Sequence, residues 1–130
     1  MGKISDILRD HRVLSVDAEQ TVIECVRLMT EFNIGAVPVL REGALIGIFS
    51  ERDLMRRVVA GGRSPGMTKV AEVMTSHPQT VSTDADIDEC MQMMREAGFR
   101  HLPVMDGDKL CGLVSLRDIM LRGRKAGGAA

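Results

Sequence analysis

The sequence predicts an α/β (α+β) protein of two tandem β-α-β-β-α units packed sheet to sheet about a pseudo-two-fold axis. Three observations predict it. A shift of 65 residues, Glu24 onto Glu89, lays the chain on itself without a gap from Val16 over Val81 to Arg57 over Arg122. In both copies the apolar spacing changes from helical to strand-like at the same place. One copy alone, a three-stranded sheet with helices on one face, could hardly bury its own core. The register matches Met29 with Met94, Glu31 with Glu96, Pro38 with Pro103, Val39 with Val104 and Leu45 with Leu110. It continues through Gly47 and Gly112, Ser50 and Ser115, Arg52 and Arg117, Asp53 and Asp118, Met55 and Met120.

Each copy opens on a short helical lead-in, Ile4 to Leu8 and Val70 to Met74, where the shift is one residue longer. A brief strand follows at Ser15-Val16 and at Thr80-Val81. An amphipathic helix then runs from Val22 to Phe32 and from Ile87 to Ala97. Thr21 with Glu24, and Asp86 with Glu89, have capping-box spacing and mark the two starts. Val22, Cys25, Val26, Met29 and Phe32 share one helix face; Ile87, Cys90, Met91, Met94 and Ala97 share its counterpart. Two strands come next, Ala36 to Leu40 and Ala44 to Phe49, then His101 to Met105 and Lys109 to Val114. Glu42-Gly43 and Asp106-Gly107 are the expected turns. A last helix closes each copy, Glu51 to Ala60 and Leu116 to Arg122. The expected organisation is a first repeat over 1–62, a linker over 63–69, a second repeat over 70–122 and a flexible tail over 123–130.

Composition removes several function classes. The 130 residues carry a formal net charge of −1, so no basic field draws nucleic acid or an anionic membrane. Trp and Tyr are absent and Phe numbers three, which leaves almost no stacking platform for single strands. No apolar run approaches the roughly 18 residues of a membrane span, and Asp6 interrupts any signal-peptide core. A cytoplasmic location is expected. Cys25, Cys90 and Cys111 form no C-x-x-C pair, so neither a disulfide framework nor a zinc site is indicated. The first two fall on apolar helix faces, as small buried hydrophobes do.

The candidate site lies where the last strand of each copy meets its last helix. Copy one reads Gly47-Ile48-Phe49-Ser50-Glu51-Arg52-Asp53 and copy two Gly112-Leu113-Val114-Ser115-Leu116-Arg117-Asp118. Ser at the N-cap and Asp in the first turn are good helix-start chemistry by themselves. That role explains neither the Arg before each Asp nor the Gly three residues before each Ser. A carboxylate at such a junction can accept both hydroxyls of a ribose, while helix-start N–H groups and an Arg can face phosphate. On spacing alone, capping and ligand binding fit equally well.

With Asn33-Ile34-Gly35-Ala36-Val37-Pro38-Val39, Phe99-Arg100-His101-Leu102-Pro103-Val104 and both junctions in order, the chain resembles a pair of cystathionine-β-synthase (CBS) domains, a Bateman module. The resemblance covers about Lys3 to Arg122. It implies a stand-alone, non-catalytic module that binds AMP, ADP, ATP, NAD or S-adenosylmethionine in the cleft between the repeats and modulates a partner protein. It implies that Asp53 and Asp118 hold ribose, assisted by Ser50 and Ser115. It implies that Arg100 and His101 reach phosphate. Copy one has Gly35-Ala36 where that basic pair stands, so the two sites are expected to be unequal. Arg52 and Arg117 are further phosphate candidates, with surface ion pairs an equal alternative. No metal and no cofactor beyond the adenosyl ligand is expected.

His101 lacks a neighbouring His or Cys, and His11 and His77 fall in apparent loops, so a polar contact suits His101 better than a metal or a proton-transfer role. Two rival readings remain. One is a ligand-independent interaction module; a homodimer is expected on either reading, with Leu28 and Met93 adding apolar surface at the margin of the core stripe. The other is an enzyme, since Bateman modules occur inside dehydrogenases of purine synthesis. A catalytic barrel of about 250 residues has no room beside the duplication.

Overall fold

The computed structural model describes residues 2–8 and 13–121. The expected ends at Arg122 and in the tail over 123–130, and the loop placement of His11, lie outside the described residues. The element order is α1 (Ile4–Leu8), β1 (Val16–Asp17), α2 (Val22–Phe32), β2 (Ala36–Arg41), β3 (Ala44–Ser50) and α3 (Glu51–Asp53). The last continues as a π-helix over Leu54–Val59. Then come α4 (Val70–Val73), β4 (Thr75–Ser76), β5 (Val81–Ser82), α5 (Ile87–Ala97), β6 (His101–Asp106) and β7 (Lys109–Ser115), with a helix α6 over 116–121.

The chain divides into two compact units whose limits are offset from the sequence copies. One is Leu14–Pro78; the other joins Met1–Val13 to Gln79–Ala130. The lead-in helices cause the offset. A helix of four or five residues is not stable alone, so each lead-in docks its apolar residues on a larger body. In the first unit α4 brings Val70 and Val73 into a core with Val22, Cys25, Met29, Val37 and Phe49. The Val22 and Ile23 N–H groups donate to the Thr68 and Pro65 carbonyls, and the Val70 N–H donates to the Gln20 carbonyl. In the second unit α1 brings Ile4, Ile7 and Leu8 into a core with Ile87, Cys90, Met94, Leu102 and Val114. There the Ile4 N–H donates to the Ala85 carbonyl and the Ile87 N–H to the Gly2 carbonyl.

The sheet of the Leu14–Pro78 unit has the order β1-β2-β3-β4, and that of the other unit β5-β6-β7. The first strand of each runs parallel to the second, which pairs antiparallel with the third. The fourth strand of the first sheet, β4, was not expected; it pairs Ser76 with Gly47 and Thr75 with Ile48. Both hairpins slip at the same place. Val39 faces Gly47 while Leu40 faces Leu45, which leaves Ile46 as the extra residue of a bulge. Val104 faces Gly112 while Met105 faces Leu110, which leaves Cys111. The Glu42-Gly43 turn has φ of 51° and 81°, both left-handed, as a type I′ hairpin requires. The second turn is Gly107-Asp108, one residue later than expected, because Asp106 still pairs with Lys109.

Two other expectations are corrected. Thr21 and Glu24 form a reciprocal capping box, whereas Asp86 holds the N-cap position of α5 without a side-chain cap bond. Leu28 and Met93 are half-buried and packed against the cores of their own units, so only part of each side chain is left over from its own core. Among the described residues no helix is long and apolar enough to cross a membrane.

Candidate functional site

Both strand-to-helix junctions are built alike. In the Leu14–Pro78 unit β3 ends at Ser50, whose extended backbone (φ −123°, ψ 167°) makes it the N-cap of α3. The Asp53 N–H donates to Ser50 Oγ at 3.2 Å, and the Ser50 N–H donates back to Asp53 Oδ2 at 3.0 Å. In the other unit the Asp118 N–H donates to Ser115 Oγ at 2.9 Å, and the Ser115 N–H to Asp118 Oδ2 at 3.0 Å. The Ser and Asp that the sequence singled out in each copy are therefore in direct contact. Each carboxylate is turned back toward the strand end, as the capping reading requires.

The strand before each junction lies alongside it. His101 at the start of β6 is paired with Ser115, and the Leu116 N–H donates to the Arg100 carbonyl at 2.8 Å. Arg100 and His101 thus stand beside Ser115 and Asp118 within one unit. The equivalent positions in the other unit are Ala36, paired with Ser50, and Gly35, whose carbonyl accepts from the Glu51 N–H at 3.0 Å. One junction has two basic side chains next to it and the other has none at those positions. Arg100, Arg52 and Arg117 are exposed, and His101 is half-buried.

The two carboxylates differ in surroundings. Asp53 is 5% exposed and Asp118 is half-buried. Asp53 Oδ2 also accepts from Ser50 Oγ at 3.1 Å, Asp53 Oδ1 accepts from Thr75 Oγ1 at 3.0 Å, and Arg57 Nε lies 3.6 Å from the same Oδ1. Arg57 Nη1 donates to the Met74 carbonyl at 2.7 Å. The wide turns of the π-helix, where an α-helix to Ala60 was expected, place Arg57 against both Asp53 and the end of α4.

Sequence reasoning missed Arg57 and Thr75. The match of Arg57 with Arg122 at the end of the repeat register was a usable signal for Arg57. Thr75 had none, because it lies 22 residues from Asp53, just past the lead-in, where the register between the two copies changes by one residue. Among the described residues no group of three or more His, Cys, Asp or Glu is placed to hold a metal.

Comparison with known proteins agrees with this architecture. The CBS domain family matches residues 4–60 and again 70–124. The CBS domain-containing protein YhcV of Bacillus subtilis is 34% identical over 92% of this chain and 84% of its own length. The mitochondrial CBS domain-containing protein CBSX3 of Arabidopsis thaliana is 34% identical over 90% of this chain, which spans 62% of that longer protein. The structure of a putative signal-transduction protein with CBS domains from Burkholderia ambifaria superposes with a TM-score of 0.88 at 36% identity, covering 94% of this chain and 93% of that one. With two copies of the repeat, two matching junctions and relatives of this similarity, the chain belongs to the CBS-domain family as a tandem pair.

Proposed function

We propose that this chain is a regulatory module that binds an adenosyl ligand through its ribose and so modulates a partner protein. The carrying observation is the Asp118 junction. A half-buried carboxylate has capacity for about four hydrogen bonds, and here it sits beside Arg100 and His101, a basic pair suited to phosphate. A helix cap needs no such neighbours. Asp53 and Ser50 form the second, weaker site, with no basic pair at Gly35-Ala36.

The test is a thermal-shift panel of AMP, ADP, ATP, NAD and S-adenosylmethionine on the native chain, Asp53→Ala and Asp118→Ala. A ligand at a hundred times its Kd adds about 2.7 kcal/mol of stability. Asp118→Ala is expected to blunt the response more than Asp53→Ala. No shift with any of the five ligands overturns the reading, and equal blunting overturns the inequality of the sites.

A second reading, self-association without ligand, draws on different residues from those the sequence offered. Met55 and Met120 are repeat-equivalent and 59% and 48% exposed, and Val59 and Leu121 beside them are also exposed. Met-rich exposed patches suit contact with another protein surface. A dimer in sedimentation that persists with Met55→Glu and Met120→Glu, or ignores nucleotide, separates these contributions.

A further inference from the structure

We propose that Thr75 is a built-in competitor for Asp53: its hydroxyl fills an acceptor position that a ribose hydroxyl would need, and must leave before ribose can bind. The proposal rests on the adenosyl reading above and specifies how one of the two junctions is tuned. It starts from the saturation of a single carboxylate. Asp53 receives two bonds from Ser50 on Oδ2, one from Thr75 on Oδ1, and the charge of Arg57 beside Oδ1. Two neighbouring ribose hydroxyls need two acceptor sites, and the carboxylate has about four in all. A donor must give way.

The three donor residues are not equally held. The Ser50 N–H is fixed by the strand end, and Ser50 Oγ is anchored because it accepts the Asp53 N–H. Arg57 is tied to the Met74 carbonyl by its other nitrogen. Thr75 is exposed, belongs to a two-residue edge strand, and has a hydroxyl that turns about a single bond to meet water instead. Its release costs least. Ligand affinity at this junction is therefore the difference between two similar hydrogen bonds to one carboxylate, and removing the Thr75 hydroxyl tips that difference toward the ligand.

The experiment compares AMP with 2′,3′-dideoxy-AMP by calorimetry on the full chain. Thr75→Val is close in shape and lies at an exposed edge. It should bind AMP about tenfold more tightly than the native chain, the scale of one hydrogen bond to a charged group. It should leave 2′,3′-dideoxy-AMP unchanged. Thr75→Ser should behave as the native chain, and the gain should vanish in Thr75→Val with Asp53→Asn. Unchanged or weaker AMP binding by Thr75→Val overturns the proposal alone, as does equal tightening of both nucleotides. No AMP binding by any variant overturns this inference, and the adenosyl reading falls with it when the five-ligand panel also shows no shift.

Discussion

Gly47 and Gly112 are repeat-equivalent, yet substitution by alanine should have unequal consequences for them. A Cβ on Gly47 would lie 2.5 Å from Met74 Sδ and 2.7 Å from the Thr75 carbonyl oxygen. The thioether can swing aside, but the carbonyl is backbone and moves only with β4, which pairs with Gly47 and Ile48. Overpacking of this kind costs about 1–3 kcal/mol. The reduced freedom of alanine in the unfolded chain returns about 0.4–1 kcal/mol. The net loss is about 1–2 kcal/mol, or a fall in Tm of about 4–8 °C for a chain of 130 residues. A Cβ on Gly112 meets only Leu8 Cδ2 at 3.2 Å and Cδ1 at 3.5 Å, methyls of one side chain that can turn. Gly112→Ala should shift Tm by less than about 2 °C, because strand alanine offsets the mild crowding. Calorimetric melts of the two variants check this. Equal losses, or an unchanged Gly47→Ala, would refute the claim that β4 presses on the first junction. Gly47→Ala should also loosen the Thr75 contact with Asp53, since Thr75 carries the carbonyl that must retreat.

Two further predictions concern titrating groups. Burial pushes the Cys25 thiol up to about 12, and burial followed by the charges of Glu89 and Asp86 also raises Cys90. Cys111 is the half-buried bulge residue. A disulfide reagent at pH 8 should therefore modify Cys111 first in the folded chain and reach the other two only on unfolding. Loss of the fast phase in Cys111→Ser would agree, and a fast phase that persists there would refute it. The Thr21 N–H, with the Thr21 hydroxyl, lowers Glu24 below its ordinary 4.5, and the Lys69 N–H does the same for Glu72. A lowered folded value means stability that is present above pH 4.5 and is lost as pH falls through the folded value. Glu24→Gln should then melt below the native chain at pH 7 and together with it near pH 3. A gap that stays constant with pH would show that the carboxylate charge is irrelevant to the cap.

Much of the fold was legible because each local signal is repeated. The helices over Val22–Phe32 and Ile87–Ala97 match the sequence expectation to the residue, because the apolar period runs over the same residues in both, although only Thr21 forms its cap bond. The strands agree to within one residue at each end. What could not be read is long-range. Thr80-Val81 and Ser15-Val16 announced themselves as strands, but Thr75-Ser76 did not, because two polar residues have no period. They become a strand only by pairing with Gly47 and Ile48. The docking of α1 and α4 was equally hidden, because the pattern of a lead-in says that it has an apolar face and not which body receives it. The second turn was misplaced because Asp-Gly is a strong local turn signal that the register of β6 and β7 overrides. The π-helix was unread because Leu54–Val59 has ordinary helical composition.

The two junctions share one sequence pattern, so a difference in function must come from what the rest of each unit adds. At Ser50 the additions satisfy the carboxylate from within, through Thr75 and Arg57, while the neighbouring strand offers only Gly35-Ala36. At Ser115 the neighbouring strand offers Arg100-His101, and the carboxylate is half-buried rather than buried. Capping alone would leave the two Asp residues equivalent, since both Ser-x-x-Asp boxes have nearly the same bond lengths. What distinguishes them is how far the rest of each unit fills the carboxylate's remaining acceptor capacity. On the proposed adenosyl reading, copies that keep the same scaffold and diverge around one carboxylate would give two sites of different affinity for related ligands. Such a pair responds over a wider concentration range than two equal sites.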